Sequence, residues 1–224
     1  TLEDSDDTSA SIPRQRVVQY IRNEMGVTTS ESDRLAVVHA LVQLSSITRL
    51  LDQVILRDEV LRSCWWDMRR LSSPKLQAAI LSSIAQVLSG LSPSDASIGI
   101  RMYTYLAMDN HETGTSTTDW LGSKYSKSPM PELRIATYAV WSAVARLGSA
   151  GVTVLSTSAE FWNPLLEGPR ETTTDARIAK YDLIYTLYES SKGFLAKSFQ
   201  TKLEKLIALG PHGIQAGTYD VAIE

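Results

Sequence analysis

Two stretches of this chain repeat one helical pattern at identical offsets, and this repeat constrains the fold more than any other feature. Each stretch begins with a proline, continues with apolar residues three and four positions apart, and ends at a glycine. The corresponding pairs are Pro74/Pro131, Leu76/Leu133, Ala79/Ala136, Ile84/Trp141 and Val87/Val144. Because proline suits the first turn of a helix and glycine its end, the pattern predicts amphipathic helices from Ser73 to Gly90 and from Pro131 to Gly148.

Further copies of the pattern place these helices in a repeat protein. A looser copy runs from Thr174 to Gly193, and a partial one begins near Asp33. The four starts lie 41, 57 and 43 residues apart, and the longest interval contains a polar loop from Asp109 to Asp119. Spacings of about 40 to 47 residues are typical of HEAT and armadillo repeats. Shorter helices are predicted between the copies, at 48–56, 58–71, 93–108 and 159–166. The sequence therefore predicts an all-α fold, a HEAT/armadillo-like α-solenoid whose helical repeats stack into a right-handed superhelix.

The domain organisation follows from where this pattern begins and ends. Residues 13–209 are predicted to form the solenoid, and residues 210–224 a C-terminal tail. Residues 1–12 are acidic and rich in serine and threonine, which predicts a disordered lead-in. Within the solenoid, the predicted helix from Asp175 to Ser190 should bury two sides between layers, because its apolar arc is wide. That arc contains Ile178, Tyr181, Ile184, Tyr185, Leu187 and Tyr188.

Composition narrows the classes of partner. The formal net charge is −3, so no basic field favours nucleic acid or an anionic membrane surface. No apolar run approaches the roughly 20 residues that a membrane helix needs. The single cysteine, Cys64, forms neither an internal disulfide nor a cysteine-based zinc site, which favours a reducing compartment. We expect no nucleic acid and no membrane among the partners, and a cytoplasmic location, with the nucleus left open as a second one.

Motifs for catalysis and cofactor binding are missing from the sequence. Residues 122–124 (Gly-Ser-Lys) lack the spacing and order of a phosphate-binding loop. His111 has no second histidine one helical turn later, as a zinc-binding helix requires. Residues 148–151 (Gly-Ser-Ala-Gly) lack the spacing of a nucleophile elbow. The three histidines are far apart in sequence, which leaves only a distant constellation open. We predict that the chain is not an enzyme and uses no cofactor or metal.

Two helix faces carry candidate protein-binding residues. On the predicted helix 58–71, Arg62, Trp66 and Arg70 lie opposite the apolar stripe, and tryptophan and arginine are frequent binding hot spots. The alternative is that the next solenoid layer buries this face, with an arginine stacked on the indole. On the helix that begins at Pro131, the side away from the apolar stripe is predicted to line a groove, with simple solvation as the alternative. Its residues are Arg134, Tyr138 and Arg146.

The stretch from Met130 onward, about the last 95 residues, carries a family likeness. It contains Pro-Glu-Leu-Arg at 131–134, Glu-Phe-Trp at 160–162, Asp-Ala-Arg-Ile-Ala-Lys-Tyr-Asp-Leu at 175–183, and a leucine-rich helix from Leu203 to Gly-Pro at 210–211. These segments resemble the C-terminal region of the 26S proteasome non-ATPase regulatory subunit 5 family. The pattern departs at His212, where that family has an aromatic residue. Upstream of residue 129 only the repeat pattern agrees.

The resemblance implies a HEAT/armadillo-like horseshoe that corresponds to the C-terminal half of such a protein. It also implies a non-catalytic assembly chaperone of the 19S base, whose partners are the C-terminal domains of proteasomal AAA-ATPase subunits. Lys180, Tyr181 and Asp182 carry over from the family motif, and we predict that Lys180 and Asp182 bind protein; helix packing beside a solvated strip is the alternative. A generic armadillo or HEAT scaffold in trafficking or signalling is the competing interpretation of the whole chain.

Overall fold

The fold is helical throughout the part of the chain that the computed structural model describes, which comprises residues 16, 19, 23, 30–45, 51–52, 56–57, 73–106, 115–166 and 171–213. In these ranges the α-helices are α1 (Glu31–Ser45), α2 (Pro74–Ser89), α3 (Ala96–Tyr105), α4 (Thr117–Lys124), α5 (Pro131–Arg146), α6 (Ser149–Ser156), α7 (Ala159–Leu166), α8 (Thr174–Ser190) and α9 (Lys197–Leu209). A 3-10 turn, Pro93–Asp95, precedes α3. The predicted all-α class is confirmed for these residues, and the arrangement is consistent with an α-solenoid.

The helices that the repeat predicts begin at the proline and the capping residues that mark their starts in the sequence. The Ser73 hydroxyl accepts a hydrogen bond from the Leu76 N–H at 3.4 Å, and Pro74 occupies the first position of α2. Pro131 likewise occupies the first position of α5, where the preceding Met130 makes no side-chain cap hydrogen bond. In α8, the Thr173 hydroxyl accepts from the Ala176 N–H at 3.3 Å. Each cap satisfies an N–H that the first turn of a helix leaves without a partner.

Corresponding helices of the two repeated segments pack against each other. Helix α2 packs along α5, α3 contacts α6, and α4 contacts α7. The pair of α2 and α5 is extended on both sides. Helix α1 packs on α2, α8 packs on α5, and α9 packs on α8. A row of five helices, in the order α1, α2, α5, α8 and α9, is therefore backed by the shorter helices. This stacking is what repeated units produce when each one contacts only its neighbours.

Helix α5 lies at the centre of the core. Eleven of its sixteen residues are buried, because α2 covers one side and α8 the other. Trp141 is fully buried, and its indole N–H donates to the Tyr103 hydroxyl of α3 at 3.2 Å. Aromatic edge-to-face contacts continue from Trp141 to Phe161 and on to Trp162, each with ring centroids 5.0 Å apart. The apolar face of α5 thus joins the row of five helices and the shorter helices behind it in one core.

Two helix pairs approach closely enough to require glycine. A Cβ on Gly122 of α4 would lie 2.5 Å from the Glu160 carbonyl oxygen of α7 and 2.7 Å from its Cβ. A Cβ on Gly151 of α6 would overlap the Val144 carbonyl of α5. Gly122 belongs to α4, which begins at Thr117, so the prediction of a polar loop from Asp109 to Asp119 is wrong for its last three residues.

Several sequence-based expectations differ from the structure or fall outside it. Ile178 and Tyr185 of α8 are 42% and 49% exposed, so the prediction that this helix buries two wide sides is wrong; its buried residues are Ala176, Leu183, Ile184 and Leu187. The helix predicted at 93–108 is a 3-10 turn followed by α3. The lead-in 1–12, the predicted helix 58–71, most of 48–56 and the tail beyond Gly213 lie outside the described residues.

No single helix in the described ranges is long and apolar enough to cross a membrane. The pair Pro74–Ser89 and Pro93–Tyr105 passes the same test of length and composition together, but is bent by 111°.

Candidate protein-binding site

A cleft of about 260 Å³ opens where α7, α8 and α9 meet the turn that follows α9. Its walls are largely apolar and are formed by Leu165, Leu166, Ile184, Leu206, Leu209 and Pro211. Three charged side chains and one histidine line it as well: Glu171, Arg177, Lys180 and His212. The turn is made possible by Gly210 and Gly213, whose φ angles of 68° and 60° lie in the left-handed region.

The residues that α8 contributes to the cleft follow helical spacing. Arg177, Lys180, Tyr181 and Ile184 stand at positions i, i+3, i+4 and i+7, which places them on one side of a helix. The Thr173 cap fixes the start of α8, and this side of the helix lines the cleft together with residues of α7 and α9. The packing of α9 on α8 closes the opposite wall.

The floor of the cleft is tied to α5 by a buried ion pair. The Arg134 Nε donates to Glu171 Oε2 at 2.8 Å, with the two side chains only 11% and 6% exposed. The Tyr138 hydroxyl donates to Glu171 Oε1 at 2.6 Å, and the Arg134 Nη1 donates to the Ser128 carbonyl at 2.6 Å. Burial raises the pKa of the Tyr138 phenol, and its hydrogen bond to Glu171 raises it further. Each carboxylate oxygen of Glu171 therefore has a donor, as a buried charge requires.

Lys180 lies beside this network without joining it. Burial lowers the pKa of the Lys180 ammonium below its ordinary value of 10.5, and the nearby charge of Glu171 opposes that shift. Lys180 makes no hydrogen bond and no ion pair with a described residue, and Arg134 and Tyr138 already occupy the two oxygens of Glu171. The cleft therefore presents an apolar wall next to a partly desolvated positive charge.

The structure distributes the sequence-predicted residues unevenly. Lys180 and Tyr181 line the cleft, whereas Asp182 is exposed on α8 and does not line it. Arg146 is exposed in the last turn of α5. Arg62, Trp66 and Arg70 lie outside the described residues. Protein binding by this set is untested and stays a prediction.

The expectation that Arg134 and Tyr138 line an open groove together with Arg146 differs from the structure. Both side chains are buried, because Glu171, 37 and 33 residues away in sequence, approaches this side of α5 and pairs with them. They support the cleft from below, and Arg146 lies apart from it. The sequence-based argument assumed that a charged and polar helix face is solvated, and a distant carboxylate reversed that.

Sequence reasoning missed Glu171, Arg177, the leucines of α9 and His212 as parts of one site. The spacing of Arg177 with Lys180 and Ile184 was available as a signal for the α8 wall. Glu171 follows Gly168-Pro169-Arg170 and has no local pattern that points to Arg134. Among the described residues no cluster of three histidine, cysteine, aspartate or glutamate side chains is arranged to hold a metal ion.

Comparison with known families identifies the chain. The model of the family described as proteasome non-ATPase 26S subunit matches residues 70–224, which is more than half of the sequence. The chain belongs to the proteasome non-ATPase 26S subunit family. The match includes α2 to α9 and therefore both the repeated helices and the cleft. Neither a curated protein nor a solved structure matches the chain.

Proposed function

We propose that this member of the proteasome non-ATPase 26S subunit family is a non-catalytic assembly chaperone of the regulatory-particle base. The family match over residues 70–224 carries the proposal, and the likeness of residues 130–211 to the subunit 5 family supports its finer part. The partners proposed are AAA-ATPase subunits of the 19S base, bound through their C-terminal domains in the cytoplasm. The fold proposed is a HEAT/armadillo-like solenoid, supported by the stacking of α2 on α5, α3 on α6 and α4 on α7.

The proposed mechanism is steric and needs no reacting group. A row of helices packed side by side offers an extended rigid surface, and such surfaces bind partners with little rearrangement. A partner held on this surface has its own docking face covered. Binding of an ATPase module by the chain would therefore delay docking on the 20S core, and release of the chain would permit it.

Calorimetry of the purified chain against the isolated C-terminal domains of the proteasomal ATPases, one at a time, tests the partner class. We expect one or two of them to bind selectively. The domain of an unrelated AAA-ATPase is the matched control and should give no heat beyond dilution. Absence of binding to every proteasomal domain, by a chain whose thermal unfolding is cooperative, would contradict the proposal.

A second experiment separates a chaperone from a permanent subunit. Base assembly intermediates and finished 26S particles are resolved on native gels and probed for the chain. A chaperone should migrate with the intermediates and be missing from the finished particle. Stoichiometric presence in the finished particle would favour a constitutive subunit and overturn the chaperone assignment.

A further inference from the structure

The cleft between α8 and α9 has the size of a site for one or two side chains. Pockets for drug-sized small molecules enclose about 300 to 1,000 Å³, and this cleft encloses about 260 Å³. An anchoring side chain of a protein partner fits such a volume, as interface hot spots commonly do. A small inorganic anion would leave the apolar walls of Leu206, Leu209 and Ile184 unused.

The charges around the cleft indicate the sign of the charge that the partner's side chain carries. Glu171 is neutralised by Arg134, which leaves Lys180 and Arg177 as the cations that face the cleft. The Arg177 Nε donates to the Thr173 carbonyl at 3.4 Å, a weak contact for a guanidinium. Lys180 has three ammonium donors, and none makes a hydrogen bond to a described residue. A ligand with a carboxylate beside an apolar group would satisfy both features.

From these observations, and resting on the proposed protein-binding function, we infer that the cleft binds a partner segment in which an apolar anchor adjoins an acidic side chain. The anchor enters between Ile184 and Leu206, and the carboxylate pairs with the Lys180 ammonium. This assigns a site and a partner chemistry to the end of the helix row. A bound carboxylate would also give the Lys180 ammonium the partner that it lacks among the described residues of the isolated chain.

A pair of matched peptide probes tests the inference without any knowledge of the partner. N-acetyl-Leu-Asp-Leu-amide and N-acetyl-Leu-Asn-Leu-amide differ only in the central charge. Each is titrated into the full chain with labelled Ile and Leu methyl groups, followed by NMR. We expect shifts at Ile184, Leu206 and Leu209, and an affinity about ten-fold higher for the aspartate probe, as a charge-assisted hydrogen bond predicts. Equal affinities, or shifts away from the cleft, would overturn the inference.

Variants assign the discrimination to one residue. In Lys180→Met the two probes should bind equally, whereas Lys180→Arg should keep the preference for aspartate. Lys205→Met, an exposed lysine of α9 outside the cleft, is the matched control and should behave as wild type. Thermal unfolding of each variant shows that it is folded. A preference for aspartate that persists in Lys180→Met would remove Lys180 from the site.

Binding of an ATPase domain to the same variants of this chain distinguishes failure of this inference from failure of the proposed function. If wild type binds a domain, Lys180→Met should weaken that binding about ten-fold, and unchanged binding would overturn the inference. If no ATPase domain binds while the probes are still discriminated, the proposed function fails and the cleft assignment stands.

Discussion

Lys180 occupies a position that opposes folding. Its side chain is half-buried and lines a cleft with largely apolar walls, and burial lowers the pKa of its ammonium below the ordinary value of 10.5. Residues kept in such positions commonly serve binding at some expense of stability. We therefore predict that Lys180→Met raises the free energy of unfolding at pH 7 by about 0.5 to 1 kcal/mol. Urea unfolding measures it, and Lys205→Met should change stability by less than about 0.5 kcal/mol.

The pH dependence of this effect has a definite sign. Because the folded-state pKa of Lys180 lies below that of the unfolded chain, the unfolded state binds more protons between the two values. The destabilisation is therefore complete below the folded-state pKa and disappears as pH rises toward 10.5. The advantage of Lys180→Met should shrink over that interval. An advantage that is constant with pH would assign it to packing instead of charge.

The Arg134–Glu171 pair should be sensitive to loss of one partner. Glu171→Gln leaves the buried Arg134 guanidinium without its counter-charge, which we predict lowers the free energy of unfolding by about 3 kcal/mol. The triple variant Arg134→Met/Tyr138→Phe/Glu171→Leu should recover most of that loss, since neither a charge nor the Tyr138 hydroxyl then stays buried without a partner. Glu160→Gln, in the exposed Lys127–Glu160 pair, is the matched control and should cost less than about 1 kcal/mol. Equal effects at Glu171 and Glu160 would contradict the prediction.

At the scale of the element, the contact between α4 and α7 depends on Gly122. Gly122→Ala places a methyl carbon 2.5 Å from a backbone oxygen, which moves only if a helix shifts, so we predict a loss of about 1 to 3 kcal/mol. Gly90→Ala, at the end of α2, is the matched control. Its φ of −80° suits alanine and its Cβ would lie 3.4 Å from the Val87 carbonyl, so stability should be unchanged or slightly higher. Thermal unfolding compares the two, and equal melting temperatures would refute the close approach.

Helices with strong local signals were predictable from the sequence, but the elements that pack against them were not. Proline, serine and glycine set the ends of α2, and the repeated offsets predicted α5 to within a residue or two. The eight-residue α4 was missed, because its polar first turn reads as a loop. The burial of Arg134 and the exposure of Ile178 and Tyr185 depend on which elements arrive from a distance. Periodicity predicts which side of a helix is apolar, but only packing decides whether a second side is covered.

At the scale of the whole molecule, stacking in a row predicts graded stability. Helix α5 is covered by α2 and α8, whereas α9 packs mainly on α8, with a ring contact from Phe199 to Trp162 of α7. In a quasi-one-dimensional stack, end units open without the centre. We predict that native-state hydrogen exchange, read by mass spectrometry, is slowest in α5 and that α9 exchanges through a lower-energy opening.

Two core substitutions test whether α9 opens independently of α5. Leu203, buried on α9, and Trp141, buried on α5, are both fully inaccessible. Leu203→Ala should cost about 2 to 5 kcal/mol locally and accelerate exchange in α9 while α5 stays protected. Trp141→Ala should accelerate exchange in every described helix, because its indole joins α5, α3 and α7. Loss of protection in α5 on Leu203→Ala would mean that the helices unfold as one cooperative unit, and the row would then have no separable end.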